Sequence, residues 1–289
     1  MRRCAPNTKA LYAESVGNPS GAVLDVAMVA ELAHDAGVPL VVDNTVPTPY
    51  LLRPLDHGAD LVVHSTTKFL SGHGNGIGGI VIDGGRFDFR AESARWPQLN
   101  QPDRSYHGLV FGEEFGKLGY ALRLRTKLVR DLGPAVSPFN SFLLLQGIET
   151  LSLRMERHVA NAQTIAEWLA EQPQVEHVHY AGLQESPWYG KRYLPDGVGA
   201  VLAFELAGGL EAGRRFVDGV TLFSHLANIG DVRSLVIHPA STTHAQLDAA
   251  QQRASGVTPG LIRLSVGLEG VEDLITDLGR GLENTRARA

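Results

Sequence analysis

The sequence predicts an α/β protein: a mostly parallel sheet layered with helices in the first half, then a smaller α+β unit. Three observations predict it. Short apolar runs recur at residues 40–43, 61–64 and 79–83 with helix-length spacers, the pattern of strands buried on both faces and joined by crossovers. After Pro173 the texture changes to strands interleaved with helices. Finally, 289 residues with 44% hydrophobic and 20% charged residues suit a globular chain with a sizeable core.

The elements follow in order. Residues 10–14 read as a short strand broken by the turn cluster Gly17-Asn18-Pro19-Ser20-Gly21. A helix is expected over 25–36, with Asp25 as N-cap and Gly37 and Pro39 ending it. The three apolar runs then supply strands. Residues 84–112 are polar, aromatic and poorly periodic, which predicts a surface loop. Leu144, Ile148, Leu151, Met155, Val159, Ala162, Ala166 and Leu169 keep the spacing of a buried helical stripe, so one long helix is expected over 141–171. Strands follow at 175–180, 200–206 and 261–266, and helices at about 210–220 and 271–284. The expected division is a large unit over 1–150 and a small one over 151–289.

Charge and cysteine content exclude several classes. A net charge of −5 gives no support for nucleic-acid binding or for an anionic membrane surface. No apolar run approaches the ~20 residues of a membrane span. Met1-Arg2-Arg3-Cys4 has charge without an apolar run behind it, so no signal peptide is expected. Cys4 is the single cysteine, which rules out an internal disulfide and points to a reducing cytoplasm. Lysine is scarce, five against twenty-one arginines, so a lysine in a hydroxylic setting stands out.

Lys68 is that lysine. It follows a predicted strand within Ser65-Thr66-Thr67-Lys68, and Asp43 closes the neighbouring strand. In an open α/β sheet, ligands sit beyond the carboxyl ends of the strands. An amine beside hydroxyls, with a carboxylate one strand away, fits pyridoxal phosphate (PLP): the amine joins the cofactor aldehyde and the carboxylate keeps the pyridine nitrogen protonated. Ser65 and Thr67 could donate to the phosphate. The spacing alone equally allows a helix-capping Ser/Thr cluster beside a solvated lysine.

Four stretches occur in one order: residues 14–19 (ESVGNP), 42–45 (VDNT), 64–69 (HSTTKF) and 262–269 (IRLSVGLE). Together they resemble the Cys/Met-metabolism family of PLP enzymes, fold type I and relatives of cystathionine γ-synthase, over nearly the whole chain. Residues 228–244 (NIGDVRSLVIHPASTTH) look most like the O-acetylhomoserine sulfhydrylase branch. Arg233 stands where the lyase and cystathionine-synthase branches carry an acidic residue, which speaks for sulfide or a small thiol as second substrate.

The resemblance implies a fold-type I PLP-dependent transferase with a mostly parallel large domain and a smaller C-terminal α+β domain. Lys68 matches the Schiff-base lysine, Asp43 the partner of the pyridine nitrogen, and Ser65 and Thr67 the phosphate contacts. Asn18 matches the asparagine near the phenolic oxygen. Arg263 matches the arginine that pairs with the substrate α-carboxylate, a bidentate geometry that suits guanidinium. Ser234 matches a serine that positions the lysine or substrate. The implied reaction is γ-replacement on O-acetyl-L-homoserine with sulfide, in a cytoplasmic homo-oligomer, dimer or tetramer. The alternatives are a cystathionine γ-synthase- or γ-lyase-like activity, or a PLP-binding remnant or interaction module without turnover.

That last alternative arises because family members carry a segment upstream of the position matching Ala10. It supplies a glycine-rich phosphate loop, a ring stacked on the pyridine and a Tyr-x-Arg element. The large domain is therefore expected to be N-terminally incomplete. Residues 74–79 (GNGIGG) fit a GxGxxG pattern but lead into a strand rather than a helix, so the context of a dinucleotide site fails. No metal is expected, because no histidine pair has ligand spacing. Gly-x-Ser-x-Gly is also missing, which leaves an α/β-hydrolase elbow without support.

Overall fold

A computed structural model describes residues 4–187 and 193–286. Met1, Arg2 and Arg3, on which the signal-peptide expectation partly rests, lie outside the described residues. The first sheet holds four strands in the order β1–β2–β3–β4. Of these, β1 (Leu11–Glu14), β2 (Leu40–Asp43) and β3 (Leu61–Ser65) run parallel, and β4 (Gly79–Asp83) pairs antiparallel with β3. Helix α1 (Val26–Asp35) makes the crossover from β1 to β2, capped by Asp25, whose carboxylate accepts from the Met28 amide at 3.0 Å. Val26, Ala30 and Ala33 of α1 pack on Leu40, Val42 and Val62. Strand alternation and register place Tyr12, Val41, Asp43, Leu61, Val63 and Val81 on the opposite face.

The aromatic stretch expected as a loop instead contains short helical turns at Pro97–Asn100, Arg104–Tyr106 and Phe111–Glu114. Ring packing orders it where periodicity could not: Phe89 stacks on Tyr120 at 5.2 Å, and Trp96 meets Phe89 edge-on at 5.3 Å.

The long helix expected over 141–171 is two helices, α2 (Pro138–Glu149) and α3 (Leu151–Ala170), meeting at Thr150. The apolar stripe is buried along α3 at Met155, Ala162, Ala166 and Leu169. In α2 only Gly147 is buried. A Cβ at Gly147 would come within 2.5 Å of the Ser71 carbonyl oxygen, so close backbone contact, with Leu144 packed on the core, seats that helix.

The second sheet has the order β5–β6–β9–β8–β7: β5 (Val175–His179), β6 (Val201–Leu206), β7 (Ser224–His225), β8 (Leu235–Ile237) and β9 (Leu261–Ser265). Helices α4 (Gly209–Gly219) and α5 (Val271–Thr285) complete it. Leu202, Phe204, Ile262 and Leu264 join Phe216, Leu274 and Leu278 in the main core. Ala203 and Leu261 pack on the other face with Ala240 and Val257. Arg263, paired in register with Ala203, lies on that second face. α4 and α5 approach closely because Gly281 has no side chain; a Cβ there would come within 2.8 Å of the Phe216 ring. Among the described residues no helix is long and apolar enough to cross a membrane.

Candidate active site

The chain leaving β3 enters a kinked helical turn over Thr66–Leu70 in which Lys68 takes non-helical angles (φ −92°, ψ −133°). Two buried groups from α3 hold that turn. Arg154 donates to the carbonyls of Phe69 (2.7 Å), Leu70 (3.3 Å) and Gly147 (2.7 Å). His158 sets its ring edge-on to Phe69 at 5.2 Å and donates from Nδ1 to the Val266 carbonyl at 2.7 Å. A further turn along, Asn161 donates to the carbonyls of Gly267 and Glu269, each at 3.0 Å. Helix α3 thus ties the lysine turn to the end of the strand that carries Arg263.

The Lys68 amine donates to the side-chain oxygen of Asn228. Burial lowers its pKa from the usual lysine value, and the nearby Arg263 guanidinium lowers it further. Arg263 donates to the Asn228 carbonyl at 3.1 Å and to Asn18 Oδ1 at 3.5 Å. Burial brings its pKa down to about 10. Among the described residues no carboxylate pairs with Arg263.

Asp43 stands at the carboxyl end of β2. Its Oδ1 accepts from the Thr45 amide (3.0 Å) and hydroxyl (2.6 Å), and its Oδ2 accepts from the Tyr12 hydroxyl (2.9 Å). Partial desolvation at the hydroxyl end of this otherwise exposed side chain, then the hydrogen bond to Asp43, pushes the Tyr12 phenol up to about 12. Thr45 Oγ1 also accepts from the Ser65 amide at 2.9 Å, linking the carboxylate to the lysine turn through one hydroxyl.

The fold therefore brings Lys68 and Arg263 onto Asn228, with Asn18 reached through Arg263 and with Asp43 and Ser65 joined through Thr45. Two of the expected site residues already carry hydrogen bonds of their own. The Thr67 hydroxyl is engaged on both sides by Gly78, donating to its carbonyl at 3.2 Å and accepting from its amide at 3.1 Å. A phosphate there would have to displace the carbonyl. Ser234 is engaged more fully. It is 1% exposed, its hydroxyl donates to Glu269 (2.8 Å) and accepts from the Gly267 amide (2.8 Å), and its amide donates to Glu269 Oε1 (2.7 Å). These contacts tie Ser234 to the turn after β9 and leave its hydroxyl one acceptor lone pair for a further donor.

The donor chemistry fits PLP: a part-buried amine held by a neutral acceptor, a carboxylate fixed by three donors, and a Ser65 hydroxyl with no partner among the described residues. Among the described residues, no group of three or more His, Cys, Asp or Glu is placed to hold a metal ion. Tyr12, Thr45 and Asn228 escaped the sequence reading. Strand register was the signal for Tyr12, since Tyr12 pairs with Val41 and so shares the face of Asp43. Asn228 had none beyond its place in the stretch at 228–244.

The family model described as Cys/Met metabolism PLP-dependent enzyme matches residues 1–283. The O-acetyl-L-homoserine sulfhydrylase of Leptospira meyeri is 52% identical over 288 residues, which cover 96% of this chain and 65% of that protein. The homocysteine synthase of Schizosaccharomyces pombe is 52% identical over 280 residues, with the same two coverages. A solved structure from Campylobacter jejuni, described as an O-acetylhomoserine (thiol)-lyase bearing N'-pyridoxyl-lysine-5'-monophosphate, superposes with a TM-score of 0.92 at 38% identity. It covers 97% of this chain and 67% of its own. The chain thus spans about two thirds of the length of the curated relatives it matches.

Proposed function

The chain belongs to the Cys/Met metabolism family of PLP-dependent enzymes, and from that premise we propose that it carries the site of a γ-replacement. O-acetyl-L-homoserine and sulfide would give homocysteine and acetate. The observation that carries this reading is Arg263: a largely buried guanidinium that meets only neutral oxygens among the described residues. An unneutralised buried cation invites a carboxylate, and two parallel N–H donors suit the α-carboxylate of an amino acid.

When bound, PLP supplies the electron sink for charge developing at the substrate α carbon. Lys68 would hold the cofactor aldehyde, Asp43 the proton on the pyridine nitrogen, and Ser65 the phosphate. Arg263 then orients the substrate so that its α proton faces the Lys68 amine. Released when the substrate's own amine takes its place, that amine, its pKa lowered by burial and by Arg263, could take the proton from the α carbon and move one at the β carbon.

Arg233 favours sulfide over an amino-acid thiol. Its Nε and Nη2 pair with Asp231 at 3.1 Å each, so the pair offers no free carboxylate to the ammonium of cysteine. For the assembly, the reading is a homo-oligomer. Its support is the apolar side of α2, where Phe139, Phe142 and Leu145 are 67%, 53% and 62% exposed; sedimentation velocity tests it, with an oligomer expected for the wild-type chain and a smaller species for Phe142→Glu. A reducing cytoplasm is the proposed setting, in keeping with the exposed lone Cys4.

The test is sulfide-dependent loss of O-acetylhomoserine with appearance of a thiol amino acid. Arg263→Ala should lower kcat/KM roughly 100-fold, two charge-assisted hydrogen bonds being lost. Borohydride reduction should still fix a pyridoxyl group on Lys68. Equal turnover with cysteine would overturn the choice of second substrate, and unchanged kinetics in Arg263→Ala would overturn the carboxylate assignment.

A further inference from the structure

Asn228 lies in the segment between β7 and β8 and touches both cationic groups of the site. Its side-chain oxygen accepts from Lys68 Nζ, and its backbone carbonyl accepts from Arg263 Nη2 at 3.1 Å. The segment cannot drift from the lysine turn. Gly230, at φ +76°, packs so tightly there that a Cβ would come within 2.6 Å of the Phe69 amide nitrogen and 3.0 Å of the Lys68 side chain. The Gly230 amide also donates to Ser265 Oγ at 2.9 Å, which pins the segment to β9. A side chain on such a rigid support fixes where the amine rests.

We propose that Asn228 is a positioning residue for Lys68: its amide oxygen is the resting acceptor that aims the ε-amine beside Arg263 without supplying negative charge. The chemistry explains the residue type. A carboxylate at this position would pair with the ammonium form of Lys68 and with Arg263, filling the charge deficit that a substrate carboxylate would otherwise meet. An amide orients the amine and leaves both effects in place.

The other charged groups near the turn come from three elements. Arg263 faces Lys68 from β9. Arg154 and His158 reach the Phe69 side from α3, and Asp231 and Arg233 stand farther along the Asn228 segment, paired with each other. Of these, Arg263 is the one whose charge acts on the Lys68 amine. The inference rests on the reading of Lys68 as the lysine that joins the cofactor aldehyde, but its geometry is independent of any cofactor.

The experiment reads the amine directly. Trace acetylation with acetic anhydride of protein first freed of PLP with hydroxylamine, followed by mass spectrometry, gives the relative reactivity of each lysine as a function of pH, with the exposed Lys9 and Lys117 as internal references. In Asn228→Asp, Lys68 should reach half-maximal reactivity about one pH unit higher than in the wild type, with about tenfold lower labelling at neutral pH. In Asn228→Ser, which keeps a neutral acceptor but shortens it, the midpoint should stay near that of the wild type. Borohydride trapping of PLP on Lys68 should nevertheless slow severalfold in that variant. Coincident acetylation profiles for wild type and Asn228→Asp would overturn the proposal, as would unchanged trapping in Asn228→Ser. A variant that failed to fold would label Lys68 like the exposed lysines, and Asn228→Ser then decides. Failure of the cofactor reading looks different: the wild type itself would give no trapped adduct, while the acetylation shift would persist.

Discussion

The two sheets close their faces differently. The second sheet buries both, with Leu202 and Phe204 under α4 and α5 and Ala203 against Ala240 and Val257. The first buries one face under α1. On its other face Leu61 is buried, but Tyr12 is 62% and Val81 is 41% exposed, and Asp43 stands among them. The closed sheet supplies rigidity to Arg263, while the half-covered one presents Asp43 and the chain that leads into Lys68. Stability and chemistry are thus unevenly divided between the two layers, and mutations should reveal it.

The largest effect is expected where closure is complete. Phe216 is fully buried and meets Phe204 edge-on at 5.3 Å. Phe216→Ala should cost about 3–5 kcal/mol in urea unfolding; a loss under about 1 kcal/mol would mean that the second sheet is not the more tightly packed.

Next comes pH. Burial, followed by the Arg154 charge, holds the His158 pKa at about 4 against an ordinary 6.5, although the Val266 carbonyl raises it. The unfolded chain therefore binds a proton on this side chain that the folded chain refuses. Stability is fully present above pH 6.5 and falls as pH drops toward 4, by up to about 3 kcal/mol at this site. Urea midpoints taken from pH 7 to 4.5 should decline more steeply for the wild type than for His158→Gln; parallel slopes would refute the assignment.

Smaller effects belong to the first sheet. Tyr12→Phe removes one of the three donors to Asp43 and should cost about 0.5–1.5 kcal/mol, read as weaker PLP binding in a fluorescence titration. Val81→Thr, on the open face, should change stability by no more than about 0.5 kcal/mol in the same urea assay. A cost near that of Phe216→Ala would erase the contrast between the layers.

The same contrast explains what was legible in the sequence. Strands β2, β3 and β9 were readable to within a residue because a short apolar run bounded by turn residues is too short for a helix and so marks a strand. β7 and β8 were not, since two- and three-residue strands exist only through pairing with their neighbours. The break at Thr150 was hidden because apolar spacing continues across it, although α2 is seated by Gly147 and α3 by its stripe. In the site, Lys68, Asp43 and Arg263 stood out through residue type and motif. Tyr12 and Asn228 did not, because they meet their partners across 31 and 160 residues of chain. The contact of Ser234 with Glu269 was hidden for a related reason: Glu269 arrives from a distant turn.

Arg154, His158 and Asn161 recur at four- and three-residue intervals along α3, and together they grip the carbonyls on either side of the site. The interval between the lysine turn and the β9 terminus is therefore set by helical pitch, seven residues at ~1.5 Å of rise each. Such a ruler tolerates new side chains on its solvent face but not a change in its count. One inserted residue between Arg154 and Asn161 would turn every later grip by ~100° and leave Phe69 and Gly267 answering to different faces of the rod. Length, rather than composition, is what evolution or design would have to preserve in this segment.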